Sequence, residues 1–101
     1  MAYRKVILDE ATREYREIVI YLAEILQSLQ AAADFMDEFD YQLSLVAENP
    51  LLFGLSRMPE LAARGYRTMH VNNYVALYRV KDDMVVVAHI FHQTQNYASL
   101  V

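Results

Sequence analysis

The chain has 101 residues, a hydrophobic fraction of 55% and a formal net charge of −4. Its length and hydrophobicity favour one folded domain and exclude a disordered chain, and its apolar stretches are too short or too interrupted to span a bilayer. The chain has no cysteine, which excludes disulfides, thiolate metal sites and thiol nucleophiles.

Charge is distributed unevenly along the sequence. Residues 1–50 carry four Lys or Arg against ten acidic residues, whereas residues 51–101 carry five against three. The net negative charge argues against nonspecific nucleic-acid binding by the whole surface, so we expect any anion-binding surface to lie in the C-terminal half. No signal peptide is visible, and we expect a cytoplasmic protein.

The first predicted elements are a short strand over Tyr3–Leu8 and an amphipathic helix. Asp9 can cap this helix by accepting a hydrogen bond from a free amide of its first turn. The helix is predicted to run to about Leu26. Apolar residues recur every three or four positions and predict one buried face, formed by Ala11, Tyr15, Ile18, Leu22 and Ile25.

A second helix is predicted over Leu29–Glu48, with Ser28 as its N-cap. Asn49 and Pro50 end it, because proline has no amide hydrogen and disfavours helical geometry in the residue before it. A short link between two long helices predicts an antiparallel αα-hairpin. The expected buried positions of the second helix are Ala32, Phe35, Met36, Phe39, Leu43 and Val46.

The segment between the second helix and the last third of the chain is predicted to be mostly loop. Gly54 and Pro59 argue against regular structure there, and Glu60–Arg64 adds one helical turn at most.

The last third predicts an antiparallel β-meander. Tyr66–Val71 and Tyr74–Val80 are rich in β-branched and aromatic residues, and Asn72-Asn73 between them tolerates the positive φ angles of a tight hairpin. A second turn is predicted at Lys81–Asp83. Met84–His92 is almost continuously apolar, which is typical of a strand that is central or covered on both faces.

The two-residue turn also predicts the register of the first two meander strands. Val71 then faces Tyr74, Met69 faces Ala76, and Arg67 faces Tyr78, all on one side. The other side pairs Tyr66 with Arg79, Thr68 with Leu77, and His70 with Val75. We expect one face to pack on the helices and the other to offer polar side chains to a partner.

These elements predict a single α+β domain over residues 1–101. Its order is an N-terminal strand, an antiparallel αα-hairpin and a three-stranded antiparallel β-meander, with the helices packed on one face of the sheet.

The same order of elements carries a family resemblance. The chain resembles the RelE/ParE superfamily of toxins from bacterial type II toxin–antitoxin modules, and in particular its ParE-like, plasmid-stabilisation branch. The residues that carry the resemblance are DEATREYREIVIYLAE in the first helix, AENP at the end of the second, then GYR, NNYVALYRV and the terminal HIFHQTQNY. The resemblance implies a cognate antitoxin as partner, and a homodimer or a toxin–antitoxin hetero-oligomer.

The family implies two mechanisms on one fold. RelE-like members cleave messenger RNA on the ribosome, whereas ParE-like members poison DNA gyrase without being nucleases, and a fold cannot choose between them. RNA cleavage needs groups that move protons and cations that hold the phosphate. The RelE-like pattern places an arginine where this chain has Val75, and basic residues where it has Gln93 and Gln95. We therefore favour binding over covalent chemistry.

Five residues are the candidates for function. By resemblance, Arg67 would bind the target or the antitoxin, and His92 would form a proton-transfer pair with Tyr97. Tyr78 and Arg79 are further candidates for binding the target or the antitoxin. The structural alternatives are an Arg67 stacked over Tyr78, an Arg79 in exposed salt bridges and a hydrogen-bonding His92 at a strand end.

Other residue types predict no site of their own. Three histidines without tight spacing or cysteines do not predict a zinc site, and we expect no cofactor. The acidic residues around Asp34–Asp40 predict a solvated helix face or a contact for a basic antitoxin segment.

The favoured hypothesis is a ParE-like toxin, neutralised by its antitoxin, that binds a target such as DNA gyrase. The alternatives are a ribosome-dependent mRNA endoribonuclease that uses Arg67, Arg79, His92 and Tyr97, or a non-toxic member that retains antitoxin binding.

Overall fold

A computed structural model describes residues 2–101 and shows an α+β fold with one four-stranded sheet. The elements in chain order are β1 (Arg4–Ile7), α1 (Asp9–Ile20), a π-helical turn (Tyr21–Ile25), α2 (Leu29–Glu48), α3 (Pro59–Ala63), β2 (Arg67–Val71), β3 (Tyr74–Lys81), β4 (Met84–His92) and a 3₁₀ turn (Tyr97–Leu100).

The sheet has the strand order β1-β4-β3-β2. Strands β2, β3 and β4 form the predicted antiparallel meander, while β1 lies parallel to β4, with Val6 opposite Val86. A parallel pair requires a long crossover connection, and here it contains the helical hairpin and the first two meander strands. The apolar strand β4 is thereby central, as its sequence predicts.

The predicted hairpin register is confirmed. Arg67 pairs with Tyr78, and Val71 with Tyr74. Asn72 adopts a φ of 54° in the turn, in the left-handed region that asparagine tolerates. In the second turn Asp82 has a φ of 55°, and Lys81 pairs with Met84, so β3 is one residue longer than predicted.

A β-bulge in β4 was not predicted. Leu77 pairs with His89 but Tyr78 pairs with Val87, which leaves Ala88 as the extra residue. An extra residue reverses the alternation of side chains along a strand. Val85 and Val87 before the bulge, and Ile90 after it, therefore all contribute to the same core.

The main core lies between the helical hairpin and one face of the sheet. Phe35 and Phe39 of α2 are nearly fully buried there, and their rings contact the ring of Tyr15. The predicted buried face of α2 is confirmed at all positions except Met36, which is half-buried.

A smaller core covers part of the opposite face of the sheet. It is formed by α3, the C-terminal turn and the strands, through Leu61, Tyr66, Val75, Leu77, Ala88, Phe91 and Tyr97. The hairpin covers one face as predicted, but the other face is half covered instead of free. Gly65 ends α3 with a φ of 81°, where a residue with a side chain would be strained.

Two details of the helical hairpin differ from the prediction. Leu8, not Asp9, is the N-cap of α1, and no side chain caps that end. The π-helical turn widens the last turn of the helix, as the hydrogen bond from the Leu26 amide to the Tyr21 carbonyl shows. Ile25 is consequently 68% exposed, and its predicted burial is wrong. Ser28 caps α2 as predicted, accepting from the Ala31 amide at 3.0 Å.

Candidate functional site

Arg67 and Tyr78 lie on the helix side of the sheet and hold a loop. Arg67 Nη1 donates to the Phe53 carbonyl at 2.8 Å, and the Tyr78 hydroxyl donates to the Pro50 carbonyl at 3.0 Å. Burial raises the pKa of Tyr78, while the nearby Arg67 charge opposes the shift. Tyr78 is fully buried, so it has no surface to offer a partner in this structure.

Arg79 lies on the opposite side of the sheet from Arg67. Its guanidinium lies over the Tyr66 ring, 4.7 Å from the centroid, and Arg64 approaches the same ring at 5.4 Å. Within residues 2–101 Arg79 makes no salt bridge. The cross-strand neighbourhood of Tyr66 and Arg79 was predicted, but the contact is a cation–π contact rather than an ion pair.

His92 lies at the end of β4 on the helix side. Its ring packs edge-on against Tyr74 with centroids 5.3 Å apart. Its Nδ1 accepts from the Thr94 amide at 3.2 Å and lies 2.7 Å from the Thr94 hydroxyl oxygen. Gln95 accepts from the His92 amide at 2.8 Å, which gives this glutamine a role in shaping the turn.

Tyr97 lies on the other face of the sheet from His92. It belongs to the smaller core, where its ring stacks on Phe91 with centroids 5.8 Å apart. His92 and Tyr97 border different clefts, so the structure does not bring together the predicted proton-transfer pair. The five candidates as a set are spread over both sides of the sheet.

Tyr97 instead borders a cleft of about 680 Å³ on the face opposite the helical hairpin, here named the C-terminal cleft. Its lining is Phe53, Gly54, Leu55, Arg57, Thr68, His70, Val75, Gln93, Thr94 and Tyr97. Arg57 and His70 are exposed, while Val75 is buried. The cleft thus gathers one guanidinium, one imidazole and one phenol around an apolar floor.

Two sets of backbone bonds build this cleft. Residues 54–56 run beside β2, since the Ser56 amide donates to the Tyr66 carbonyl at 2.9 Å and Leu55 bridges to Arg67. On the other wall, the Gln93 amide donates to the Asn73 carbonyl at 2.9 Å. These bonds place Arg57 and Tyr97 on opposite rims.

Arg57 and His70 were not among the predicted site residues. The predicted register places His70 beside Val75 on the face away from Arg67, so the alternation of β2 contained the signal for His70. Arg57 gave no comparable signal, because it lies in a loop whose path depends on the bonds to β2.

The helical hairpin offers a second candidate surface. A groove of about 640 Å³, here the hairpin groove, is lined by Leu22, Ala31, Asp34, Phe35, Asp37, Glu38, Tyr41, Asn72, Asn73 and Tyr74. No cation lines it, and its three carboxylates form no salt bridge within the described chain. Beside it lies the hairpin tip, where Ile20, Tyr21, Ile25, Leu26 and Leu29 are 46–77% exposed.

Glu14 is a buried acid that the sequence did not identify. Its Oε1 accepts from the Ile90 amide at 3.0 Å and lies 3.5 Å from His89 Nδ1. Burial raises its pKa, against the lowering effects of the Ile90 amide and His89. This carboxylate joins α1 to β4 just after the bulge.

None of the helices within residues 2–101 combines the length and apolarity needed to cross a bilayer. The same residues contain no group of three or more His, Asp or Glu placed to hold a metal ion.

Three solved structures with the same fold come from toxin–antitoxin systems. The chain superposes on a protein from a chromosomal ParDE toxin–antitoxin system of P. aeruginosa with a TM-score of 0.70 and 17% identity, covering 90% of this chain and 96% of that one. With the RelBE2 toxin–antitoxin complex of Mycobacterium tuberculosis the TM-score is 0.62 at 22% identity, and the match covers 91% of this chain and 99% of that one. With the E. coli DinJ-YafQ toxin–antitoxin complex the TM-score is 0.59 at 15% identity, and the match covers 99% of this chain and 98% of that one.

At these low identities the structural likeness shows the fold alone, whereas the match to a family model shows the family. None of the curated proteins matches this sequence at a significant level. Residues 6–97, however, match the model of the ParE toxin of the type II toxin–antitoxin system parDE. The match begins in β1 and ends at Tyr97, so it includes every element that builds the two candidate surfaces. The chain therefore belongs to the ParE toxin family of type II toxin–antitoxin systems.

Proposed function

We propose that this toxin acts by binding a protein target such as DNA gyrase, without covalent chemistry, and that a cognate antitoxin neutralises it. The observation that carries the proposal is the floor of the C-terminal cleft. Val75, which is 2% exposed, lies there, and a valine can neither hold a phosphate nor move a proton. The separation of His92 from Tyr97 supports the same conclusion.

The helical hairpin is the proposed antitoxin surface. The hairpin tip exposes five large apolar side chains within ten residues, which is costly in water unless a partner covers them. The hairpin groove beside it is acidic. A basic, amphipathic segment of the antitoxin would complement both features.

Purified toxin incubated with gyrase and supercoiled DNA tests the target. We expect loss of supercoiling activity and trapped cleavage complexes at stoichiometric toxin, and both effects should disappear when antitoxin is added first. Full gyrase activity at a tenfold excess of folded toxin would contradict the proposed target.

The C-terminal cleft favours one second candidate function, ribosome-dependent mRNA cleavage. Arg57, His70 and Tyr97 border the same cleft, and they supply a cation and two groups that exchange protons. This set differs from the four residues that the sequence suggested.

Primer extension on translated message separates the two functions. Cuts that disappear in His70→Ala but persist in His92→Ala would establish cleavage in this cleft, since the two substitutions are chemically identical and only His70 borders it. We expect no cuts with the unmodified toxin. Growth arrest on induction without antitoxin distinguishes both functions from a member that has lost toxicity.

A further inference from the structure

The face of the sheet that carries the C-terminal cleft has an uncovered half. The smaller core covers the first half of β3 and the end of β4, but not the end of β3, the start of β4 or β1. A shallow depression of about 600 Å³ lies there, lined by Val6, Leu8, Arg79, Val80, Lys81, Met84 and Val86. We call this surface the β1–β4 strip.

The strand register gives the layout of the strip. Arg4, Met84 and Lys81 lie side by side across β1, β4 and β3, and Val6, Val86 and Arg79 form the next row. Side chains two residues apart on a strand share a face, so Arg4 lies on the same face as Val6 and Leu8. The centre of the strip is apolar, and its flanks are basic.

No carboxylate lines this depression. Arg4 and Lys81 are exposed, and neither makes a salt bridge within residues 2–101. Leu8 is 41% exposed, and Val6, Met84 and Val86 are each half-buried. The toxin as a whole is acidic, but the lining of this depression carries two cations, Arg79 and Lys81, and no acid. The acids Asp82 and Asp83 lie in the turn at its end.

We propose that the β1–β4 strip binds an acidic amphipathic helix of a partner protein. The two strand spacings from β1 across β4 to β3 add up to roughly 10 Å, which matches the diameter of an α-helix. The apolar side of such a helix would cover Val6, Met84 and Val86, and its carboxylates would reach Arg4 on one flank and Lys81 and Arg79 on the other. Electrostatic complementarity of this kind selects one partner and one orientation.

A second copy of the toxin fits this surface poorly. Two strips facing each other would oppose like charges at both flanks, which disfavours association. The basic segment proposed for the hairpin groove would likewise be repelled here. The partner helix is therefore expected to be an acidic segment, distinct from the basic segment proposed for the hairpin groove.

Two designed helical peptides test the strip. They share the same apolar positions, and one carries Glu where the other carries Lys. Titration of isotope-labelled toxin should show about tenfold tighter binding of the Glu peptide, with shifts in the methyl resonances of Val6, Leu8, Met84 and Val86. The double variant Arg4→Glu/Lys81→Glu should reverse this preference, since both side chains are exposed and the fold should persist.

Arg57→Glu is the matched control, because it reverses an exposed cation on the same face but in the C-terminal cleft. It should leave the preference for the Glu peptide unchanged. Equal binding of both peptides would overturn the proposal. So would resonance shifts confined to the helical hairpin, or a toxin dimer that Lys81→Glu dissociates. Peptide binding does not depend on toxicity, so a failure here and a failure of the gyrase experiment are separate results.

Discussion

Glu14 Oε1 accepts a hydrogen bond from the Ile90 amide at 3.0 Å, and so connects the first helix to the central strand. The carboxylate is 9% exposed, and it satisfies an amide just after the bulge, where the ladder to β3 changes register. A buried amide without a partner destabilises a fold, which explains why an acid lies on the inner side of α1.

Removing this acceptor should destabilise the protein. We expect Glu14→Ala to lower the free energy of unfolding by about 1–3 kcal/mol, the cost of an unsatisfied buried donor. Urea denaturation measures the change. Glu24→Ala is the control, since Glu24 is exposed in the π-helical turn. Equal effects of the two substitutions would contradict a structural role for Glu14.

The same residue predicts a pH dependence. Burial raises the pKa of Glu14 in the folded state, so the folded protein binds this proton more tightly than the unfolded chain does. Its contribution to stability is then present below the unfolded pKa and is lost as pH rises through the folded pKa. Glu14→Gln keeps an oxygen that accepts from Ile90 but cannot ionise. As the pH rises from acidic to neutral, the free energy of unfolding of the variant should therefore increase relative to that of the unmodified protein. Urea unfolding at each pH measures this difference. A pH-independent difference would contradict this assignment.

Tyr78 offers a test of the loop attachment. Tyr78→Phe removes the hydrogen bond to the Pro50 carbonyl and should lower the free energy of unfolding by about 0.5–1.5 kcal/mol. Tyr41→Phe makes the same chemical change at a side chain that is 60% exposed, and should have no measurable effect on thermal denaturation. If Tyr78→Phe also has none, the loop is held mainly by Arg67 and its bond to Phe53.

The N-cap of α2 should contribute measurably to stability. Ser28→Ala removes the acceptor for the Ala31 amide and should cost about 0.5–2 kcal/mol, whereas Ser28→Gly should cost only a few tenths. Chemical denaturation of both variants gives the comparison. The reverse order would mean that the serine contributes through something other than capping.

The hairpin tip predicts a separation of stability from binding. Ile25 and Leu29 are 68% and 77% exposed, so Ile25→Ser/Leu29→Ser should leave the melting temperature nearly unchanged. Neutralisation by co-expressed antitoxin should weaken, because the apolar contact is lost. Leu55→Ser, at a leucine 51% exposed beside the C-terminal cleft, should be neutralised normally. Normal neutralisation of the tip variant would move the antitoxin surface elsewhere.

The parts of the fold that were predictable depend on local chemistry. Asn72-Asn73 determines a two-residue turn, and the turn determines the register from Val71–Tyr74 to Arg67–Tyr78. Ser28 and Asn49-Pro50 likewise mark both ends of α2. Each signal lies within a few residues of the structure it specifies.

The parts that were not predictable depend on contacts between distant segments. The pairing of β1 with β4 and the burial of Glu14 against Ile90 both join residues more than seventy positions apart. The bulge at Ala88 is a change of register inside an apolar run, where the sequence gives no signal for it. The candidate site shows the same limit. His70 could be placed on its face by alternation, but placing Arg57 and Tyr97 at the same cleft required the loop and the C-terminus to be located.

The bulge at Ala88 has a consequence for comparing this toxin with its relatives. Deleting that one residue would move every later side chain of β4 to the opposite face of the sheet. His92 would then lie on the face where Tyr97 now lies. At identities of 15–22%, an alignment can slip by one position here while the backbones still superpose. Roles for the residues after Ala88 should therefore be transferred between members of the family by the direction of each side chain, and not by the aligned residue types.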